Sequence, residues 1–141
     1  MSLNIGVIGV GHLGKFHLEK LNSRNDVDLI GFYEKDESRR IFIQNELNVK
    51  ALSELNTLLE NCDAVTIATP TIYHFQVAQK AMDMGCHVFI EKPITHTIEE
   101  AESLLYQAEK LNKFIQVGHI EQFNPALTAI DFSEINPMFI E

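Results

Sequence analysis

At 141 residues, with 45% apolar and 22% charged side chains, the chain has the size and composition of one globular domain and leaves no room for a second full one. Eleven basic against twenty acidic residues give a net charge of −9, which disfavours nucleic-acid and anionic-membrane partners, since both need a positive field. Cys62 and Cys86 are too few for a disulfide framework or a zinc site, no apolar run approaches the about 18 residues of a membrane span, and the N-terminal MSLNIGVIG lacks a signal-peptide pattern, so the expected compartment is the cytoplasm.

The first strand is predicted at 3–8, ending in a glycine cluster, followed by a helix at 13–21 with Leu13, Phe16, His17 and Leu21 at helical spacing. A second strand at 28–33 precedes a charged helix at 36–47, with Ile41 and Phe42 as its apolar side. A short helix at 53–59 is expected to be capped by Ser53. The third strand, 64–68, leads into a helix at 71–84 with Ile72, Phe75, Ala78 and Met82 on one face, stopped by Gly85. A strand at 87–90 follows. Thr97 then stands three residues before Glu100, a capping-box pattern, and heads a stripe of Ala101, Leu104, Leu105, Ala108 and Leu111. A last strand at 114–117 and a helix at 125–130 complete the pattern. Continuous apolar strands alternating with helices predict an α/β fold, a doubly wound parallel sheet of the Rossmann dinucleotide-binding type. Residues 1–124 are expected to form that domain.

Gly9-Val10-Gly11-His12-Leu13-Gly14 lies between the first strand and the first helix. In this context Gly9 permits a tight turn, Gly11 lets the backbone approach a pyrophosphate, and Gly14 lets the helix pack closely, while the helix N-terminus supplies free N–H groups. Glu34, twenty residues after Gly14, ends the second strand where an acidic side chain accepts hydrogen bonds from ribose hydroxyls, favouring NAD over NADP. Lys35, Arg39 and Arg40 are either a solvated helix face or cations within reach of a 2′-phosphate. Two look-alike motifs fail. Gly9 to Lys15 fits a nucleotide-triphosphate loop except that Phe16 stands where Ser or Thr must hold magnesium, and His119-Ile120-Glu121 lacks the paired cysteines of a zinc deaminase. No metal site is expected.

The third strand ends in Thr69-Pro70-Thr71 with His74 one turn further on, and the next strand ends in Glu91-Lys92-Pro93. In a doubly wound sheet both positions lie at the carboxyl ends of strands, where ligands bind. Lys92 is either an ordinary solvated residue or a charge aimed at a substrate, and taken by itself it reads as the former.

The order of G-V-G-H-L-G, A-T-P-T-I-Y-H, E-K-P and V-G-H-I-E-Q-F-N-P resembles the Gfo/Idh/MocA family (glucose–fructose oxidoreductase, inositol dehydrogenase and relatives) from Asn4 to Pro125. The wording of the last motif looks most like members acting on nucleotide-linked sugars, although Gln122 stands where those often carry Arg. The resemblance implies hydride transfer between NAD and a hydroxyl-bearing carbon of a sugar, nucleotide-sugar or cyclitol. It places Lys92 near the reacting hydroxyl as the catalytic residue and Glu91 beside the nicotinamide, with Pro93 fixing the turn. Gly9, Gly11, His12, Leu13, Gly14, Glu34, Thr69, Pro70 and His74 would contact or line the cofactor, His74 being alternatively a capping or half-buried histidine. His17, His87 and His96 are read as structural or solvated.

Similar proteins carry a second α/β domain, which usually supplies the acid–base histidine and the sugar pocket. The resemblance therefore implies that 125–141 are a crossover helix and the first strand of a substrate domain that is otherwise absent, with Met138-Phe139-Ile140 as an orphan strand. Such a fragment would bind NAD without turnover, and the complete protein would be a homo-oligomer. Two other functions stay open: an NAD(H)-sensing regulatory module, which has no need of Lys92, and a non-sugar reductase on the same cofactor domain.

Overall fold

The apolar strands and helical stripes fold as a layered sheet in the computed structural model, which describes residues 2–130. In chain order the elements are β1 (Leu3–Ile8), α1 (His12–Asn22), β2 (Val27–Tyr33), α2 (Glu37–Leu47), β3 (Ala51–Leu52), α3 (Leu55–Leu59), β4 (Ala64–Ile67), α4 (His74–Asp83), β5 (His87–Ile90), α5 (Ile98–Leu111), β6 (Ile115–Val117) and α6 (Pro125–Thr128). A 3₁₀ turn, Thr71–Tyr73, precedes α4, and a second, Ile120–Phe123, precedes α6. The expected orphan strand lies outside the described residues.

All strand pairs are parallel, in the order β3-β2-β1-β4-β5-β6. Sequence direction along the sheet thus reverses between β1 and β4, which opens a crevice at their carboxyl ends. Alternation along β1 divides the core between two layers. Ile8 joins Leu58, Ile67, Ala78, Met82, Ile90 and Leu104 under α3, α4 and α5, while Val7 joins Leu18, Phe32 and Ile43 under α1 and α2. The second layer stops short. Where α1 faces β4, β5 and β6, an open cavity of about 810 Å³ remains, bordered by Phe16, Thr66, Phe89 and Phe114.

Helix ends follow the local chemistry. Thr97 Oγ1 accepts the Glu100 N–H at 3.2 Å and Glu100 Oε2 accepts the Thr97 N–H at 3.3 Å, the reciprocal box expected from the sequence. Asp36 caps α2 by accepting the Arg39 N–H at 2.7 Å. Ser53 does not cap α3: that helix begins two residues later, behind Glu54, with no side-chain cap. The two-residue β3 was too short to give an apolar period, yet it pairs with Phe32 and Tyr33.

Two helices are rotated relative to their apolar stripes. In α1 the buried positions are Gly14 and Leu18, whereas Leu13 and Phe16 are half exposed on the side toward the uncovered sheet. In α2 only Ile43 is buried, while Ile41 and Phe42 face out, with the Arg39 guanidinium 5.6 Å above the Phe42 ring.

Candidate cofactor and active site

Between β1 and α1 the backbone turns with Gly9 at φ 82°, a region that L side chains avoid. A Cβ there would also sit 2.9 Å from the Thr69 backbone nitrogen, so the loop passes against the end of β4 with no room for a side chain. The Gly9 N–H donates to the Tyr33 carbonyl at 2.9 Å, tying the turn to β2 as well. Gly14 is closer still: its Cβ would fall 1.9 Å from the Gly9 carbonyl oxygen, so only glycine lets α1 press down on the loop. Gly11 differs from both, because a Cβ there meets nothing within 4 Å. It is the N-cap of α1 and no side chain caps the helix, so the first-turn N–H groups and the positive end of the helix dipole face open space.

That space is a cavity of about 990 Å³ at the carboxyl ends of β1, β2 and β4. Gly9, Gly11, His12 and Leu13 border it on the loop side, Glu34 and Asp36 after β2, and Thr69, Pro70 and Tyr73 after β4. Glu34 is oriented by backbone donors: Oε2 accepts the Val10 N–H at 2.9 Å and Oε1 the Asp36 N–H at 3.1 Å. Each carboxylate oxygen keeps a further lone pair for a ligand hydroxyl. Arg39 and Arg40 are half-buried and bonded to backbone carbonyls, so they are not a freely solvated face. The Arg39 Nε donates to the Val10 carbonyl at 2.9 Å, tying α2 to the glycine loop, and the Arg40 Nη1 donates to the Glu34 carbonyl at 2.9 Å, tying α2 to the end of β2. Lys35 lies at the rim, its ammonium 6.0 Å from the centre of the Tyr73 ring. The Thr69 hydroxyl is buried there with no partner among the described residues.

The remaining candidates lie beside this cavity rather than in it. Gly14 is behind the loop, in contact with it. His74 is 1% exposed, with Nδ1 3.0 Å from the Pro93 carbonyl and Nε2 2.8 Å from the Thr69 carbonyl. It joins the loop after β4 to the loop after β5 from behind, and does not face the cavity. Glu91 is buried at the end of β5, where Oε1 meets His17 Nε2 at 2.7 Å and Oε2 accepts the Lys92 N–H at 3.2 Å. Lys92 is exposed, joined to Pro93 by a cis peptide bond, and its ammonium has no acceptor among the described residues. His17, expected to be structural or solvated, takes the structural alternative, held between Glu91 and Phe89; no spacing in the sequence pointed to Glu91 as its partner.

The two thiols stand apart from the site. Burial pushes the Cys62 thiol up to about 12, and burial likewise raises that of Cys86, whose Sγ donates to the Cys62 carbonyl at 3.3 Å.

A reversal of strand order coinciding with a glycine loop, an uncapped helix N-terminus and an acidic residue after the second strand defines a dinucleotide-binding domain. The open ground before Gly11 fits a pyrophosphate, and the fixed Glu34 carboxylate fits a ribose diol. Residues 3–119 match the Oxidoreductase family, NAD-binding Rossmann fold, and the chain belongs to this Gfo/Idh/MocA family. It is 40% identical over 125 residues to UDP-N-acetylglucosamine 3-dehydrogenase of Acidithiobacillus ferrooxidans, covering 89% of this chain and 39% of that protein. The solved structure of that enzyme superposes with a TM-score of 0.86 at 39% identity, over 92% of this chain and 42% of that one. The scyllo-inositol dehydrogenase of Lactobacillus casei, solved with NAD(H) and scyllo-inositol bound, gives a TM-score of 0.82 at 26% identity, over 92% of this chain and 39% of that one. The chain spans less than half the length of each.

Proposed function

We propose that this chain is the cofactor half of an NAD-dependent dehydrogenase that oxidises or reduces a hydroxyl-bearing carbon of a sugar, nucleotide-sugar or cyclitol. NAD, when bound, supplies the hydride acceptor or donor. The chain's own residues hold and orient it: Gly9, Gly11, His12, Leu13 and Gly14 shape the pyrophosphate seat, Glu34 takes the ribose, and Thr69 and Pro70 form the opposite wall. Glu91 belongs to the nicotinamide end in this reading, and His74 supports Thr69 from behind.

Lys92 carries the proposal. What supports this is an exposed ammonium with no acceptor among the described residues, on the loop after β5 that His74 ties to the Thr69 loop; in this reading it hydrogen-bonds a substrate oxygen. There it would stabilise negative charge developing on that oxygen. The acid–base groups and most of the sugar pocket are assigned to the part of the relatives that this chain does not span, with 1–124 as the cofactor domain and 125–141 leading into the substrate domain. Among the described residues no helix is long and apolar enough to cross a membrane. A cytoplasmic homo-oligomer without nucleic-acid or membrane partners completes the reading, on the net charge of −9 and the family resemblance.

The test is a substrate screen on the full-length protein with NAD, following absorbance of the reduced cofactor with UDP-N-acetylglucosamine, myo-inositol and scyllo-inositol. Turnover of at least one is expected. NAD binding without turnover of these or of any other polyol offered would overturn the dehydrogenase assignment in favour of a sensing module.

A further inference from the structure

Lys92 has a long, flexible side chain on an exposed loop, and a catalytic ammonium needs its stem held in one place. The residue after it is held: the Pro93 carbonyl lies 3.0 Å from His74 Nδ1. The residue before it is held more elaborately. Glu91 is 8% exposed, and its Oε2 accepts the N–H of Lys92 itself. Its Oε1 is 2.7 Å from His17 Nε2, which comes from α1, the helix whose N-terminus faces the pyrophosphate seat. The fit is tight. A Cβ on Gly118 would sit 3.0 Å from Glu91 Oε2, so the chain after β6 closes over the carboxylate without a side chain. The His17 ring is further packed against Phe89, with centroids 5.5 Å apart.

We propose that His17 is a positioning residue for the reaction: through Glu91 it fixes the backbone of Lys92 and links the cofactor-bearing helix α1 to the lysine loop. His17 touches neither ligand in this account. A buried carboxylate that lost this donor would turn toward water and release the Lys92 amide, so the ammonium would wander while the cofactor seat stayed intact. The inference rests on the assignment of Lys92 made above.

The test uses the full-length protein with NAD and UDP-N-acetylglucosamine, comparing His17→Asn, His17→Gln and Lys92→Met. Asn is too short to reach Glu91, whereas Gln can still donate to it. His17→Asn should lower kcat tenfold or more, with KM and the NAD dissociation constant within twofold of wild type, and His17→Gln should recover most of the loss. Hydrogen exchange of the peptide containing Lys92, measured with NAD alone, should rise at least tenfold in His17→Asn and stay near wild type in His17→Gln. This second readout needs no turnover, and it decides the inference if the sugar is not a substrate. Unchanged kcat and exchange in His17→Asn overturn the inference, as does a loss of NAD affinity that matches the loss of kcat. Full turnover in Lys92→Met overturns the assignment of Lys92 instead, whatever His17 does.

Discussion

The Val10 N–H donates to Glu34 Oε2 at 2.9 Å, so the acidic residue that directly follows β2 is oriented by the glycine loop beside it. With Oε1 fixed by the Asp36 N–H, the carboxylate is set before any ligand arrives, and its charge opposes a 2′-phosphate.

NAD should therefore bind at least tenfold more tightly than NADP, about 1.4 kcal/mol, and Glu34→Ala should narrow that gap. Calorimetric titration of both cofactors checks it. Equal or tighter binding of NADP by the wild type would contradict the assignment of Glu34.

The glycines separate folding from binding. Gly14→Ala places a methyl group 1.9 Å from the Gly9 carbonyl oxygen and should cost about 1–3 kcal/mol or more of stability. Gly11→Ala meets nothing within 4 Å among the described residues, so its melting temperature should match wild type while NAD affinity falls. Thermal melts and calorimetry on the two variants test the contrast, and a Gly11→Ala protein with normal affinity would move the pyrophosphate elsewhere.

Much of this was legible in the chain because the relevant signals are local. The spacing of Gly9, Gly11 and Gly14, the Thr97–Glu100 box and the continuous apolar runs are properties of neighbouring residues, and all three settle in the structure as elements or loop geometry. What stayed hidden depends on residues far apart in sequence. His17 meets Glu91 74 positions away, and His74 meets Pro93 19 positions away, so neither reveals its partner through spacing. The apolar sides of α1 and α2 were misplaced for a related reason. Periodicity finds a stripe, but which stripe is buried depends on which part of the sheet is covered, and Leu13 and Phe16 overlook an uncovered part.

The capping box gives a prediction confined to stability. Thr97→Ala removes the acceptor of the Glu100 N–H and should cost about 1 kcal/mol, seen in chemical denaturation, with no change in NAD affinity. A coupled loss of affinity would mean that α5 supports the site directly.

Alkaline stability follows from Cys62. Its thiol titrates near about 12 in the folded protein against an ordinary value of 9.0, chiefly because burial disfavours the thiolate. The folded chain thus holds this proton where the unfolded chain has released it. The contribution is complete below pH 9.0 and is lost as pH rises toward about 12. Cys62→Ala should flatten that alkaline decline in denaturation curves. At pH 8 the native thiol should react with a disulfide reagent far more slowly than the unfolded one, since the thiolate is the reactive form.

The central claim concerns Lys92, and turnover of Lys92→Met in the full-length protein tests it most directly. Loss of a donor acting on the developing charge should lower kcat a hundredfold or more, about 3 kcal/mol, while the NAD dissociation constant stays within twofold of wild type. Near-normal kcat, or a loss of NAD binding in place of kcat, would contradict the account and return Lys92 to the solvated surface.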